Sequence, residues 1–227
     1  MSKQSEHGGK EPERDVAGNI VARQSDEGGG DETRETDDDR REQRLSQEAI
    51  LNETPSPFVV AWVPRIASAL DRPTTATALD VAMGHGRHAL LLARAGFRTF
   101  GVDLNLASVR DAASRARAEG LTLLAWSADL RAVPLPDARF DLILVTRFLQ
   151  RDLVPVIRRA VKPAGFVVYE TFTVKQRQLG FGPRSPEHLL EPGELLKRFD
   201  GFEVLSYEEL DAPEAVARLV ARRPQRN

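Results

Sequence analysis

The chain of 227 residues contains no cysteine. That removes disulfides, thiolate zinc sites and a cysteine nucleophile, and with the nucleophile goes covalent chemistry at pyrimidine C5. No stretch approaches the ~18 uninterrupted apolar residues of a membrane span. The first residues, MSKQSEHGGKEPERD, have no apolar segment of the secretory kind. No membrane partner is expected, and the cytoplasm is the expected compartment. A strong charge of one sign is missing too: the net charge is -2. Residues 1–45 hold 8 Lys and Arg against 13 Asp and Glu, a net -5, and the remainder holds 24 against 21, a net +3. A surplus of +3 is too weak for a nucleic-acid surface. No metal site is expected.

The hydrophobic fraction of 41% supports a real core. The length fits one domain with an extension. The extension is residues 1–45. Its only large apolar residues are Met1, Val16, Ile20, Val21 and Leu45, and it carries EGGGDE and TDDDRREQR. Such a segment cannot bury enough surface to offset its chain entropy, so a disordered acidic tail is expected there and one folded domain over 46–227.

From Ser46 onward the pattern is regular. Ser56 followed by Pro57 marks a helix start, and Pro64 predicts that this helix breaks into two short pieces. Strands are expected at Ala76–Met83, Arg98–Val102, Leu121–Ser127, Phe140–Val145, Phe166–Phe172 and Phe202–Tyr207. Helices are expected at Arg87–Ala95, Leu106–Glu119, Asp152–Val161 and Pro192–Phe199. Residues 215–222 suit strand or helix equally. Strands alternating with helices predict an α/β fold, doubly wound around a mostly parallel sheet with helices on both faces. Ligands of such sheets bind at the carboxyl ends of the strands.

The first strand-to-helix turn reads ALDVAMGHGRHALLLA, residues 78–93. Gly84 and Gly86 allow a ligand close to the backbone. GHGRHA even satisfies the dinucleotide fingerprint, with Asp103 at the end of the second strand as a ribose-binding acid, so a nicotinamide oxidoreductase competes. Asp80 argues otherwise. It interrupts a buried strand, where a carboxylate is costly without a partner, and the ammonium of a methionine moiety would be one. Asp129 follows the third strand, where an acid can meet an adenine amine. Asp141 heads the fourth strand, and a Lys-Pro-Ala-Gly turn directly precedes the fifth. Arg87 opposes the helix dipole at the start of its helix, which suggests that it serves a carboxylate.

The series LDVAMGHGRHALLLA, VDLN, ADL, FDLILV and KPAGFVVYETF resembles class I S-adenosylmethionine-dependent methyltransferases over residues 56 to 222. GR after the second glycine and YETFTVKQRQLGFGPRSPEHLLEPGEL resemble the tellurite-resistance-type small-molecule enzymes within that class. The resemblance implies a Rossmann-like sheet of seven strands ordered 3-2-1-4-5-7-6 with the seventh antiparallel, which makes 215–222 a strand. It implies S-adenosylmethionine as cofactor. The residues matched to cofactor binding are Asp80, Ala82, Gly84, His85, Gly86, Arg87, Asp103 with Leu104, Asp129 with Leu130, and Thr146. Ala82 stands where the family usually has glycine. His85 stands where it has a small hydroxyl residue, and either touches the methionine carboxylate or faces solvent.

Methyl transfer from a sulfonium needs mainly proximity and alignment, so no triad is required. VTRFLQRD after the fourth strand lacks the Asn/Asp-Pro-Pro-Tyr/Phe motif of amino methylation. A small molecule or small anion is the expected acceptor, held by TRF, YETFT and a lid loop over 175–191. Glu170 is the candidate base. Arg184 and His188, with Arg177, are candidates for holding the acceptor. A cofactor-binding protein without catalysis is the alternative.

Overall fold

The computed structural model describes residues 53–70, 75–133 and 135–225. The expected acidic tail lies outside the described residues. The described chain forms a seven-stranded sheet ordered β3-β2-β1-β4-β5-β7-β6. The strands are β1 (Thr77–Val81), β2 (Arg98–Asp103), β3 (Leu123–Ser127), β4 (Phe140–Thr146), β5 (Val161–Phe172), β6 (Glu203–Leu210) and β7 (Val216–Arg222). The first five run parallel, and β7 is antiparallel to both of its neighbours. Five helices accompany them: α1 (Pro57–Ala69), α2 (Arg87–Arg94), α3 (Leu106–Ala118), α4 (Val154–Ala160) and α5 (Glu194–Arg198). Residues 215–222, ambiguous by local pattern, are a strand, as the family resemblance implied.

Strand alternation sends side chains to two covered faces. Leu79, Val81, Ile143, Val145, Val167 and Tyr169 pack on the face that also receives Ile157 and Phe199. Ala78, Leu142, Leu144, Phe166 and Val168 pack on the other, beneath Val59, Val63 and Ile66 of α1 and Leu92 of α2. All five residues of β1 are buried, as in a central strand covered on both sides.

Three local expectations need correction. Pro64 does not divide its helix: α1 is continuous over 13 residues with Pro64 inside. The proline sits on the exposed side, while Phe58, Val59, Val63 and Ile66 bury the opposite stripe. That burial outweighs the hydrogen bond lost at one turn. The Lys-Pro-Ala-Gly segment does not precede β5 but lies within it. Pairing with β4 slips from Phe140–Val161 to Leu142–Phe166, so the extra residues form a bulge, with Ala164 in the left-handed region at φ 62°. Lys162 reaches back to Asp141 at 2.7 Å, which also accepts from the Thr77 amide and hydroxyl. The helix expected over Asp152–Val161 begins as a tighter 3-10 turn at Arg151–Leu153, and α5 is only five residues long.

Candidate functional site

The turn after β1 places backbone where a ligand can approach it. Ala82 and Gly84 both have φ 54°, and Gly86 has φ 80°. The Gly86 amide donates to the Met83 carbonyl at 2.9 Å, closing the turn. A Cβ at Gly86 would lie 2.7 Å from that of Ala112, so only glycine lets α2 pack on α3 here. At Gly84 a Cβ would meet nothing within 4 Å. Its requirement is the left-handed conformation. The Gly84 amide donates to Asp103 Oδ2 at 2.8 Å, and the Asn105 amide donates to Oδ1 at 2.8 Å. Asp103 thus ties the glycine turn to the end of β2, and each oxygen keeps lone-pair capacity for a ligand hydroxyl.

A cavity of about 630 Å³ opens at the carboxyl ends of β1 to β4, within the usual size of small-molecule sites. Ala82, Asp103, Leu104, Asp129 and Leu130 line it, five of the sequence-predicted cofactor residues. The acceptor candidate His188 lines it too, exposed and 3.6 Å from Glu187. Leu104 is 69% exposed, an apolar side chain left at the rim. Asp129 is engaged by the amide and guanidinium of Arg131, whose hydrogen bonds hold its carboxyl below the usual range. Phe148, Leu149 and Gln150 complete the wall. The sequence reading took in only the first of them. Their signal is their place just beyond β4, at the carboxyl edge where open sheets bind ligands.

Asp80 is wholly buried in β1, and neither carboxylate oxygen has a hydrogen-bond partner. Burial pushes its pKa up to about 7, against the Ala89 amide and Arg87, which pull it down, while Asp103 adds a little upward. Arg87 has no hydrogen bond or ion pair among the described residues. Burial and the charge of Arg147 lower it to about 10, so it stays cationic at neutral pH.

Other predicted residues lie elsewhere. His85 is on the surface, its Nδ1 2.9 Å from Asp111 Oδ2. Thr146 is buried, its hydroxyl 3.1 Å from His88 Nδ1. The Ser56 amide donates to His88 Nε2 at 2.9 Å, so Nδ1 carries the proton of the neutral ring. Burial drops the His88 pKa to about 3. Glu170 is buried at the end of β5 and paired with Arg218 Nε at 2.5 Å. It does not line the large cavity. It lines a second pocket, of about 50 Å³, with Ser56, Arg87, Arg147, Glu214 and Arg218. Sheet register explains the gathering: Thr146 pairs with Glu170, Glu170 with Arg218 and Arg218 with Glu208, a polar row across four strands.

The segment 174–190 is stitched down. Gln176 is buried, accepting from the Ala215 amide at 2.8 Å and donating to the Phe181 carbonyl at 3.0 Å. Arg151 donates to the carbonyls of Pro186, Glu187 and Leu189 and pairs with Glu194 at 2.7 Å. A bridge joins Thr173 to Leu190. Arg177 and Arg184 are exposed and point back at their own loop: Arg177 donates to the Arg184 carbonyl at 3.0 Å, and Arg184 to the Gly180 carbonyl at 3.5 Å. Of the three side chains expected to hold an acceptor, only His188 reaches the large cavity. Among the described residues no cluster of three or more His, Asp or Glu is placed to hold a metal, and no helix is long and apolar enough to cross a membrane.

Residues 78–165 match a family whose description is a methyltransferase domain. No curated protein matches the chain. Among solved structures, TehB from Haemophilus influenzae aligns with TM-score 0.58 and 19% identity, over 71% of this chain and 61% of that one. The chain therefore spans less than two thirds of TehB. An S-adenosylmethionine-dependent methyltransferase from Mesorhizobium loti aligns with TM-score 0.56 and 20% identity, over 72% of this chain and 98% of that one. The cyclase SpnF aligns with TM-score 0.60 and 22% identity, over 74% and 81%.

Proposed function

We propose that the chain, whose residues 78–165 match a methyltransferase domain, is a class I S-adenosylmethionine-dependent enzyme that methylates a small molecule or small anion by direct in-line transfer. Because a cyclase shares this fold, the reaction rests on the site rather than on the sheet. The observation that carries the reading is Asp80, wholly buried, with no close hydrogen-bond partner among the described residues and only the Ala89 amide and Arg87 favouring its charge. A ligand cation beside the glycine turn would supply one, and S-adenosylmethionine carries an ammonium. When bound, the cofactor supplies a methyl group on a positively charged sulfur, an electrophile that needs no further activation.

The chain's own residues then have defined tasks. Asp103 binds ribose hydroxyls while holding the turn. Leu104, Asp129 and Leu130 receive the adenine. Asp80 and Arg87 hold the amino and carboxyl groups of the methionine end, opposite charges for opposite charges. Gly84 and Gly86 keep the backbone close. Thr146 acts through His88, which fixes the start of α1 against α2. Glu170 is held by Arg218 and does not line the large cavity; its task is to orient that arginine. His188, exposed on the wall of the large cavity, is the side chain placed to meet an acceptor. Arg184 braces the loop that carries it.

The test is calorimetry followed by turnover. S-adenosylhomocysteine should bind, NADH should not, and methyl-labelled cofactor should pass its label to members of a panel of small oxyanions and amines. Binding without transfer to any of them would favour a non-catalytic cofactor-binding protein. Binding of NADH alone would end the methyltransferase reading.

A further inference from the structure

The second pocket has its own chemistry. Three guanidiniums, Arg87, Arg147 and Arg218, converge there with two carboxylates, Glu170 and Glu214. Glu214 accepts twice from Arg147 Nη2, both at 2.8 Å, and Glu170 accepts from Arg218 Nε. Exposed Glu208 touches Arg218 at 3.2 Å. Every carboxylate in the cluster is therefore answered, but the donors are not used up. Arg87 has no partner, and Arg147 Nε and Nη1 donate to nothing among the described residues. The Ser56 hydroxyl, buried against the same pocket, also has no partner. A surplus of hydrogen-bond donors on half-buried side chains suits an acceptor-rich anion.

Arg147 is placed at a conformational cost. It is one of four described non-glycine residues with positive φ, at 52°. Such backbones cost of order 1–3 kcal/mol and persist where the surroundings over-determine them. Here the surroundings are visible. Its amide donates to the Glu170 carbonyl at 2.8 Å, its guanidinium lies 5.8 Å from the centre of the Phe172 ring, and Glu214 holds one end of it. The side chain is fixed before any ligand arrives. A volume of about 50 Å³ admits a group of a few heavy atoms and no ring.

We propose that this pocket is a subsite for one oxyanion group, carboxylate in size, of the methyl acceptor. The proposal rests on the methyl-transfer reading above. It commits Arg147 and Ser56 to the acceptor and leaves Arg87, at the pocket's edge on the start of α2, to the carboxylate of the cofactor. The placement supports the acceptor rather than the cofactor: the large cavity spans the ends of β3, β2, β1 and β4, whereas this pocket spans those of β4, β5 and β7, and the two meet at β4. The acceptor class is then a small molecule with a carboxylate or comparable oxyanion, its nucleophilic atom close to that group.

Acetate is the probe, titrated into protein saturated with S-adenosylhomocysteine and followed by NMR line broadening of labelled acetate. One saturable site is expected in the wild type. Arg147→Gln should weaken it at least tenfold and Ser56→Ala severalfold, while Glu214→Gln, which frees Arg147, should retain or tighten it. The S-adenosylhomocysteine dissociation constant, unchanged within about twofold, shows that each variant is folded. Absence of a saturable site, or equal binding by Arg147→Gln, overturns the proposal. Acetate that displaces S-adenosylhomocysteine overturns it differently, by giving the pocket to the cofactor's own carboxylate. If S-adenosylhomocysteine does not bind the wild type at all, the underlying reading fails first. The acceptor assignment then falls with it, and an Arg147-dependent acetate site would survive as a separate fact.

Discussion

The two pockets at the carboxyl edge of the sheet are built from opposite materials. The large one is walled mainly by apolar side chains and backbone, with Asp103, Asp129, Arg131, Asp152 and His188 among them. Asp103 and Asp129 sit at and just beyond strand ends and are already hydrogen-bonded. The small one is dominated by ionic groups, which come from the start of α2, the residue after β4, the end of β5, and β7 with the turn before it, beside the chain that leads into α1. An apolar wall recognises a flat, weakly charged body by area. An ionic wall recognises charge and shape at one point. Asp80 lines neither; it is the buried acid without a hydrogen-bond partner among the described residues. A ligand spanning both would be read first by its surface and then by its charge.

The strongest way to break this comparison is to remove Asp80, the buried acid of β1. Asp80 titrates near 7 in the folded chain and at about 3.9 in the unfolded one. Between those values the folded state keeps a proton that the unfolded state has released. Stability of the ligand-free protein therefore falls as pH rises across that window, by on the order of 4 kcal/mol, and levels off above 7. His88 has the opposite sign. Its folded value, about 3, lies below the ordinary 6.5, so its contribution is lost as pH falls from 6.5 toward 3. Asp80→Asn should be more stable than wild type at pH 8 and should lose stability more steeply on acidification, because His88 is then unopposed. Denaturant melts across pH measure both. In the wild type, cofactor binding at pH 6 should release a proton, visible as a buffer-dependent binding enthalpy. No buffer dependence would remove Asp80 from the ammonium site.

Asp103→Ala tests the apolar-walled side. A charge-assisted hydrogen bond is worth about 1.5–3 kcal/mol, so S-adenosylmethionine should bind about ten- to a hundredfold more weakly. The fold should persist, with faster amide exchange at Gly84, whose partner is lost. Equal affinity in calorimetry would sink the ribose assignment.

Two substitutions sharpen the acceptor side. His188→Ala should slow methyl transfer by about tenfold, the equivalent of about 1.4 kcal/mol, and leave the cofactor dissociation constant unchanged. Arg184→Ala should change neither by more than about twofold, because its guanidinium only reaches its own loop. The reverse order of effects would return the acceptor-holding role to Arg184.

The smallest effect is at Ala82. A left-handed alanine costs about 1 kcal/mol or more, partly offset by the entropy that glycine adds to the unfolded chain. Ala82→Gly should raise the melting temperature slightly without altering cofactor affinity.

What the sequence revealed follows from the range of the interactions. The sheet was legible because β1 and β4 are apolar runs bounded by turns, a property of neighbouring residues. Asp80, Gly84 and Asp103 were legible because the turn and the strand ends on either side fix their places within about 20 residues. The small pocket was not. Glu170 stood out as a lone acid, but Arg218 is 48 positions away and joins it only through the antiparallel register of β5 and β7. Arg151 carried no signal in the sequence, because its carbonyl partners lie 35 to 38 residues downstream. His88 read as part of a helix; burial keeps it neutral, and its tautomer is set by an amide 32 residues upstream. Pro64 misled because propensity ignores which side of a helix faces solvent.

The stitching of 174–190 has a consequence for how this protein could change its substrate. Gln176 and Arg151 fasten the loop at both ends. Neither belongs to the glycine turn after β1. Residues between those fastenings can therefore be exchanged as a cassette, like a removable jaw on a fixed vice. A library confined to 177–185 and 188 should yield variants with altered acceptor preference and one shared cofactor affinity. Changing Glu194, which lines neither pocket but grips Arg151, would loosen the jaw itself.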